Sequence, residues 1–467
     1  MKRMFTDEVI GRQGETVELA GWVANRRDHG KLVFIDLRDW RGTVQVVFTP
    51  QNKEAYAAAQ ELRPEWVVAL KGTVQTRPAA MVNDRVATGG VEIAAQELAV
   101  LSKAKTVPFP IDTAGYELSE EKRLQYRYLD LRRPRMKRNL VMRSRVIHFM
   151  REFLLGRGFV EIETPMLTKS TPEGARDFVV PSRLHPGKFY ALPQSPQQYK
   201  QLLQVAGFER YFQIVRCFRD EDPRADRHPE FTQLDIEMSF VEREDILSLI
   251  EELYISLVKE LFPEKHIQQT PFPRLSYQEV METYQSDKPD IRTNKEDANE
   301  LAFAFVVDFP TFEWKESEKR WDAVHHPFTR PQTDDIEALK KNPGTIPSYQ
   351  YDFVLNGYEI GGGSLRITNP TLQEAVFEIM GHSKEHIKEQ FGHLLEAFEY
   401  GVPPHGGIAP GVDRFLEVVL GEPSIREVIA FPKTGDNRDP MMDGPSALLQ
   451  EQAKELHIHI DQPKKSG

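Results

Sequence analysis

The residues best suited to chemistry lie on one predicted strand, near residues 230–240. Its side chains alternate strictly, with an apolar face behind a polar one that consists of Phe231, Gln233, Asp235, Glu237 and Ser239. A ring, an amide and two carboxylates in register can stack a base, hold an ammonium group and ligate a metal. The preceding strand ends at Arg219, beside a loop dense in charge. This pattern predicts a site for a nucleotide and an amino acid.

A second chemical feature is a predicted hairpin with two carboxylates, in the sequence YDFVLNGYEIGGG. Asn356-Gly357 is a strong signal for a two-residue turn, which pairs Val354 with Glu359. Asp352 then lies on the same face, diagonal to Glu359 and roughly 7 Å away at Cα. Two carboxylates at this separation can share one cation, and Mg²⁺ bridged to phosphates is commonly held in this way. The hairpin therefore predicts a magnesium site.

The elements that must position these residues begin with a small barrel. Residues 1–104 contain five short strands with turn signals, and a helical segment, NKEAYAAAQELR, follows the third strand. This order is typical of an OB-fold. We expect Arg26, Arg27, Phe34 and Gln45 on or near one face, where they would form a stacking platform for unpaired bases. A solvated strand edge with a core phenylalanine is the alternative.

The rest of the chain predicts a larger α+β domain. A Pro-rich stretch after residue 104 indicates a linker. The basic residues between 122 and 145 could touch a phosphate backbone or form a solvated helix face. Helices predicted at 138–157 and 372–400 alternate irregularly with strands, which favours a mostly antiparallel sheet flanked by helices. The predicted division is 1–104 for the barrel, 105–135 for the hinge and 136–467 for the large domain.

Composition limits the function classes. The 467 residues carry 60 Lys and Arg against 71 Asp and Glu, a net charge of −11, which argues against a general nucleic-acid coat protein. The single cysteine, Cys217, lies in an apolar strand and reads as a core thiol in a reducing compartment. No signal peptide or membrane span is recognisable. A cytoplasmic protein is therefore expected.

Three motifs carry a family resemblance: a helix and strand closed by Pro165, then FRDED…EFTQLDIEMSF, then GIAPGVDRF. In this order they resemble the motifs of class II aminoacyl-tRNA synthetases. With QSPQQYKQLL, TPEGARDF, HHPFT and GGGSLRI, the chain resembles bacterial aspartyl-tRNA synthetases over nearly its whole length. The resemblance implies an OB-fold anticodon-binding domain, a class II catalytic core and a homodimer. The implied reaction activates L-aspartate with ATP and esterifies it to tRNA(Asp).

The resemblance also implies roles for residues at the nucleotide. Arg219 would bridge the α-phosphate and the α-carboxylate, and Arg414 would hold the terminal phosphate and cover the adenine stacked on Phe231. His228 would approach the phosphates or the ribose, unless it is a plain loop histidine. The remaining residues implied in ATP binding are Asp220, Glu221, Glu359, Gly411, Val412 and Asp413. Mg²⁺ would be held by Asp352 and Glu359.

For aspartate, the resemblance implies that Lys200 and Arg366 recognise the side-chain carboxylate and reject asparagine, which would leave their charges uncompensated. Simple alternation does not place Arg366 on the face of Glu359, so a bulge in the run Gly361–Gly363 is expected. The α-ammonium group and its surroundings are assigned to Glu173, Ser195, Gln197 and Asp235. One of His325 and His326 should touch the substrate carboxylate, and the resemblance does not decide which.

Two departures from the bacterial pattern concern size and specificity. The inserted domain usual in bacterial relatives is missing near 291–300, where only a short polar segment remains. His29 stands where relatives restricted to one tRNA often have leucine, which favours charging of tRNA(Asn) as well as tRNA(Asp). The alternative, that the protein charges tRNA(Asp) alone, stays open. Rival interpretations are an asparaginyl or lysyl synthetase, or a non-catalytic paralogue that binds RNA through the barrel.

Overall fold

The computed structural model describes residues 3–170, 174–221 and 227–461. The chain divides into two compact units, Met1–Pro110 and Ile111–Gly467. Within the described ranges, no helix is both long enough and apolar enough to cross a bilayer. Each unit has its own hydrophobic core.

The first unit is a closed five-stranded barrel in the order β1-β2-β3-β5-β4. Its strands are β1 (Thr16–His29), β2 (Leu32–Arg38), β3 (Thr43–Phe48), β4 (Val67–Thr76) and β5 (Val91–Ser102). Helix α1 (Lys53–Glu61) lies between β3 and β4. Alternate residues of β2 and of the first half of β1 are buried, as the period of two requires. The OB-fold barrel predicted from sequence is confirmed, including the position of its helix.

The second unit opens with three helices, α2 (Glu120–Gln125), α3 (Arg127–Asp130) and α4 (Pro134–Leu155). Arg123, Arg127 and Arg133 are buried here, and each forms an ion pair with Asp130. This part of the basic segment is therefore neither a solvated face nor available to a phosphate backbone. Residues 111–135, which the sequence analysis placed in a hinge, are part of the second unit in the structure.

An eight-stranded sheet forms the centre of the second unit, in the order β12-β14-β17-β18-β19-β10-β9-β6. Its inner strands are antiparallel, and the outermost pair at each edge is parallel. The strands of this unit are β6 (Val160–Glu161), β7 (Val179–Pro181), β8 (Phe189–Ala191), β9 (Arg210–Phe218), β10 (Glu230–Ser239), β11 (His266–Ile267), β12 (Arg274–Ser276), β13 (Glu300–Leu301), β14 (Phe303–Val307), β15 (Phe312–Lys315), β16 (Arg320–Ala323), β17 (Gln350–Leu355), β18 (Tyr358–Leu365) and β19 (His405–Pro410).

The remaining helices flank this sheet and make up the α+β class predicted from sequence. They are α5 (Gln197–Val205), α6 (Arg243–Leu261), α7 (Tyr277–Tyr284), α8 (Ile336–Lys341), α9 (Pro370–Ile379), α10 (Lys384–Glu399), α11 (Val412–Leu420) and α12 (Gln450–Glu455). The single helix predicted at 372–400 is wrong. Gly381 has φ +87°, and the Ser383 side chain caps a new helix by accepting the His386 N–H.

The core between the sheet and its helices explains how β10 exposes its polar face. Leu234, Ile236 and Met238 pack into the main hydrophobic cluster together with residues of α6 and α11. The opposite face, from Phe231 to Ser239, is thereby turned away from this core. Cys217 is buried, as expected for a core thiol, and its Sγ lies 3.3 Å from Gln233 Oε1.

Candidate active site

A cavity of about 480 Å³ opens over the polar face of β10 and the neighbouring strands β18 and β19. It brings together most of the residues singled out from the sequence. Those that line it are Ser195, Gln197, Lys200, Arg219, Glu221, His228, Phe231, Asp235, His325, His326, Glu359, Arg366, Gly411, Asp413 and Arg414. Glu173 lies outside the described residues.

One end of the cavity is a buried network of ion pairs. Arg366 donates two side-on hydrogen bonds to Glu237, from Nε at 2.9 Å and from Nη2 at 3.0 Å. Lys200 Nζ lies 2.9 Å from Asp235 Oδ1 and 3.3 Å from Glu237 Oε2. All four side chains are buried. The two cations predicted to bind a substrate carboxylate are thus already balanced by two protein carboxylates. The prediction that asparagine would leave these cations uncompensated did not include the two carboxylates.

The two carboxylates of this network have opposite pKa shifts. Burial opposes ionisation of Glu237, but the cations Arg366 and Lys200 prevail and lower its pKa to about 2. Burial dominates at Asp235 and raises its pKa despite Lys200. Asp235 forms an ion pair with Lys200 and also lines the cavity, so its predicted role at the α-ammonium group stays a prediction. Glu237 was the main partner missed from the sequence, although its place on the polar face of β10 was recognised.

The structure separates the two histidines that the sequence could not distinguish. His326 Nε2 accepts a hydrogen bond of 2.9 Å from Arg366 Nη1. Burial, together with the nearby cations, holds the pKa of His326 well below its usual value. His325 Nε2 instead lies 3.1 Å from Asp352 Oδ2. A neutral His326 therefore faces the buried network of ion pairs, and His325 faces the carboxylate pair.

The hairpin β17–β18 carries the predicted carboxylate pair. Val354 pairs with Glu359 across the Asn356-Gly357 turn, as the sequence predicts. A Cβ built on Gly362 would lie 3.1 Å from Asp352 Oδ1 and 3.8 Å from Glu359 Oε1, so the glycine leaves open space between the two carboxylates. Burial and the charge of Asp352 raise the pKa of Glu359. Asp352 is buried and Glu359 partly buried, and two mutually repelling carboxylates on neighbouring strands are of the kind that can hold a divalent cation.

A bulge aligns the two ends of β18. The pairing shifts between Phe353 and Val354, and Ile360 is left unpaired immediately before the glycine run. The expected bulge is therefore present one residue earlier than the run itself. It places Arg366 on the face of Glu359, and both line the cavity.

The other end of the cavity presents cations around an aromatic ring. The Arg219 guanidinium lies 5.1 Å from the centre of the Phe231 ring. Arg414, in the first turn of α11, donates a 2.6 Å hydrogen bond from Nη1 to the carbonyl oxygen of Glu359. The Gly411 N–H donates to the Ile360 carbonyl, so its backbone fastens α11 to β18. Both arginines line the cavity and are only partly buried.

Several residues assigned to ATP take other positions in the structure. Both ring nitrogens of His228 are engaged by backbone, Nδ1 with the Glu230 carbonyl at 2.6 Å and Nε2 with the Lys433 N–H at 2.7 Å. Burial lowers the pKa of His228, so the imidazole is neutral. Its two backbone hydrogen bonds hold the loop in position. Val412 points into the hydrophobic core. The backbone of Asp220 pairs with Arg176, and Asp220 does not line the cavity.

Asp413 lines the cavity and also joins neighbouring segments. Its carboxylate contacts Arg143 of α4 and accepts a 2.7 Å hydrogen bond from the Thr232 N–H. The Arg143 Nη2 donates to Thr232 Oγ1 at 2.9 Å. This triangle ties the start of β10, next to Phe231, to the start of α11, next to Arg414. Asp352 is also absent from the cavity wall, because it lies behind Gly362 and accepts a hydrogen bond from Gln350.

One wall of the cavity was not anticipated from sequence. Ile425 and Asn437, which follow α11, also line it. The backbone N–H of Lys433 holds this segment against His228, and the Lys433 Nζ lies 3.6 Å from Glu230. The only available signal was the polar sequence TGDNRDP, which indicates a turn but not its location.

In the barrel, the predicted stacking face is present with one exception. Arg27 pairs directly with Phe34, and its Nη2 lies 3.3 Å from Gln45 Oε1 and 2.9 Å from Asp36. His29 is exposed on the same side, two residues beyond Arg27. Arg26 pairs with the buried Ile35 and donates to the Ala59 carbonyl, which places it on the opposite face.

Comparison with known protein families gives two matches. The family of tRNA synthetases class II (D, K and N) matches residues 119–435, and the OB-fold nucleic acid binding domain matches residues 17–101. Among solved structures, the asparaginyl-tRNA synthetase of Pyrococcus horikoshii complexed with asparaginyl-adenylate superimposes with a TM-score of 0.76 at 25% identity, covering 93% of this chain and 98% of that one.

Curated relatives match over nearly the full length. An Aspartate--tRNA(Asp/Asn) ligase of Dehalococcoides mccartyi is 43% identical, and one of Heliobacterium modesticaldum is 44% identical. The alignments cover 98% of this chain and 98 and 96% of the relatives. The first runs over 594 positions against 467 residues here, so the relative carries residues without a counterpart in this chain. By these matches the chain belongs to the class II tRNA synthetases of the D, K and N group, in the family of the aspartate–tRNA ligases.

Proposed function

We propose that this protein activates L-aspartate with ATP and transfers it to the 3′ ends of tRNA(Asp) and tRNA(Asn). The observation that carries the proposal is a single cavity with a balanced cation pair at one end and two arginines at a stacking ring at the other. An α-carboxylate between them can attack the α-phosphorus of ATP while pyrophosphate leaves. The names of the curated relatives support aspartate and both tRNAs.

At the aspartate end, Lys200 and Arg366 bind the side-chain carboxylate of the substrate. Glu237 and Asp235 hold these cations in place, so the pocket is organised before aspartate enters. Neutral His326, fixed by Arg366, closes the pocket beside this carboxylate. Ser195 and Gln197 line the cavity and provide neutral polar groups for the α-amino acid.

At the nucleotide end, adenine stacks on Phe231. Arg219 neutralises the α-phosphate and the α-carboxylate that attacks it, and Arg414 holds the terminal phosphate. Adenylate formation joins two anions, so charge neutralisation and alignment account for most of the catalysis. Asp352 and Glu359 are the residues that would hold Mg²⁺, which supplies positive charge to the phosphate oxygens when bound.

The domain organisation proposed is an anticodon-binding barrel at 1–104, a connection at 105–135 and a catalytic domain at 136–467. Arg27, Phe34 and Gln45 on the barrel face, with His29 beside them, would contact the anticodon. A cytoplasmic homodimer is proposed as the working form. In support, the end of α4, the edge strand β6 and the hairpin β7–β8 expose apolar side chains, including Leu155, Val160 and Val179.

The test is aspartate-dependent exchange between ATP and pyrophosphate, repeated with asparagine and with lysine. Exchange with aspartate alone is expected. Exchange with asparagine or lysine instead would assign a different synthetase, and absent exchange with all three would favour a non-catalytic RNA-binding protein. Charging of purified tRNA(Asp) and tRNA(Asn) transcripts then tests the double specificity, which fails if the tRNA(Asn) transcript is not aspartylated.

A further inference from the structure

The short connection left where the bacterial insertion is missing is closed by specific hydrogen bonds. The buried carboxylate of Glu300 accepts the backbone N–H groups of Thr293, at 2.7 Å, and Asn294, at 2.8 Å. Just before this turn, Arg292 donates two hydrogen bonds to the carboxylate of Asp290, from Nε at 3.0 Å and from Nη2 at 2.8 Å. A turn anchored at both ends by charged groups has little freedom to shift along the neighbouring strands.

The turn is joined to the tip of the β17–β18 hairpin through Asn356. Its Oδ1 accepts the Ala302 N–H at 2.8 Å, and its Nδ2 donates to the Glu300 carbonyl at 3.0 Å. Its backbone N–H donates to the Ala302 carbonyl at 3.2 Å. Asn356 also has φ +51°, a conformation that asparagine tolerates and the hairpin turn requires. Asn356 therefore forms the turn of the β17–β18 hairpin and also binds this turn to residues 300 and 302, at the end of the short connection.

These bonds fix the register between β14 and β17. β14 begins directly after the connection, and its first residue, Phe303, pairs with Leu355. Three residues further on, Val306 pairs with Asp352. A slip of one residue between two strands turns every side chain to the opposite face. Asn356 is also in the turn that pairs Val354 with Glu359, so holding it to residues 300 and 302 fixes the hairpin that carries both carboxylates.

We propose that Glu300 and Asn356 are positioning residues for the metal hairpin, and that they allow this chain to work without the inserted domain. The inference rests on the proposed function, because it assigns Mg²⁺ to Asp352 and Glu359. Neither Glu300 nor Asn356 touches substrate. They act by anchoring the turn of the hairpin that carries the two carboxylates.

The test uses Glu300→Gln, with Glu296→Gln as a matched control, since Glu296 is an exposed glutamate in the same turn. A glutamine keeps one acceptor but brings an NH₂ group against a backbone donor, so one bond is lost. We expect the Mg²⁺ concentration at half-maximal pyrophosphate exchange to rise about fivefold, with the KM for aspartate unchanged. Hydrogen–deuterium exchange of the β17 and β18 amides should become faster in Glu300→Gln and not in the control.

Asn356→Gly provides a second variant that keeps the left-handed turn and deletes both side-chain bonds. It should shift the Mg²⁺ dependence in the same direction. If either active variant loses thermal stability but keeps the wild-type Mg²⁺ dependence, the two residues are only structural and the proposal is overturned. Absence of exchange in both the wild type and Glu296→Gln would contradict the proposed function itself, so the two failures are distinguishable.

Discussion

The two ends of the cavity differ in how their charges are balanced. At the aspartate end, Arg366 and Lys200 meet Glu237 and Asp235 inside the protein, and all four side chains are buried. At the nucleotide end, the partly exposed arginines contact a ring and a carbonyl oxygen. The Glu359 carboxylate there has a neighbouring carboxylate, Asp352, that raises its pKa.

This difference indicates two modes of preorganisation. The aspartate end is complete without substrate, since its cations are held by protein carboxylates and need only small movements to bind a third one. At the nucleotide end, the carboxylates of Asp352 and Glu359 repel each other, which is unfavourable until a cation arrives. Loss of one charge should therefore have opposite consequences for stability at the two ends.

The largest effect is expected from Glu237→Gln. Removing one partner of a buried ion pair leaves Arg366 uncompensated, which costs about 3–5 kcal/mol. We expect kcat/KM for aspartate in pyrophosphate exchange to fall at least about a hundredfold, with the KM for ATP little changed. Glu209→Gln, an exposed position at the start of β9, should behave as wild type. Equal losses for aspartate and ATP would show that the two ends are not separate.

Glu359→Gln should have the opposite effect on stability. The substitution removes repulsion with Asp352, so the midpoint of thermal unfolding without Mg²⁺ should stay equal or rise. Exchange activity should fall about a hundredfold, because one carboxylate of the metal pair is lost. Differential scanning calorimetry and exchange assays on the same preparation check both results. A marked fall in unfolding temperature would contradict the account of the nucleotide end.

The contrast also explains which parts of the site could be predicted from sequence. Local patterns were sufficient for the barrel, the polar face of β10 and the Asn356-Gly357 turn, because strand alternation and turn chemistry are set by neighbouring residues. The pairing of Val354 with Glu359 followed from the turn alone. The family resemblance supplied Lys200 and Arg366, which lie far apart in the chain.

Contacts between distant segments could not be predicted. The role of Glu237 depends on Arg366, which lies 129 residues away, and that of His228 depends on the backbone of Lys433. Arg26 and Arg27 are neighbours on one strand and face opposite sides, and the pairing of β1 with β2 decides that Arg27 is the one that shares a face with Phe34. Ion pairing and strand register in the folded chain decided these positions.

Acid should distinguish Glu237 from Glu359 by the sign of its effect on stability. The folded-state pKa of Glu237, about 2, lies below the usual value of 4.5, so its contribution to stability is complete above pH 4.5 and is lost as pH falls towards 2. That contribution is on the order of 3 kcal/mol. Glu359 has a raised pKa, so its contribution is present below pH 4.5 and is lost as pH rises.

Urea unfolding of the wild type, Glu237→Gln and Glu359→Gln between pH 7 and pH 3 measures this difference. The stability gap between the wild type and Glu237→Gln should narrow below pH 4.5. Any stability gained by Glu359→Gln should be greatest at neutral pH and shrink in acid. Parallel pH profiles for all three proteins would refute the opposite charge balance of the two ends.

The smallest effect is expected at Asn437, on the wall of the nucleotide end. Its Oδ1 atom is buried and has no hydrogen-bond partner among the described residues, a cost that a bound nucleotide can remove. Asn437 has φ +61°, so Asn437→Gly removes the carboxamide without backbone strain. We expect the KM for ATP to rise about threefold and the KM for aspartate to stay constant.

Asp443→Gly is the matched control for this last variant. Asp443 also has positive φ, at +56°, and it is exposed in the same C-terminal segment without lining the cavity. Relief of backbone strain alone would act equally in both variants, whereas a contact with nucleotide changes only Asn437→Gly. If the KM for aspartate rises as much as that for ATP, Asn437 influences the whole cavity. In that case the unpaired Oδ1 of Asn437 is not specific to the nucleotide end. The two ends then differ only in how their charged groups are paired.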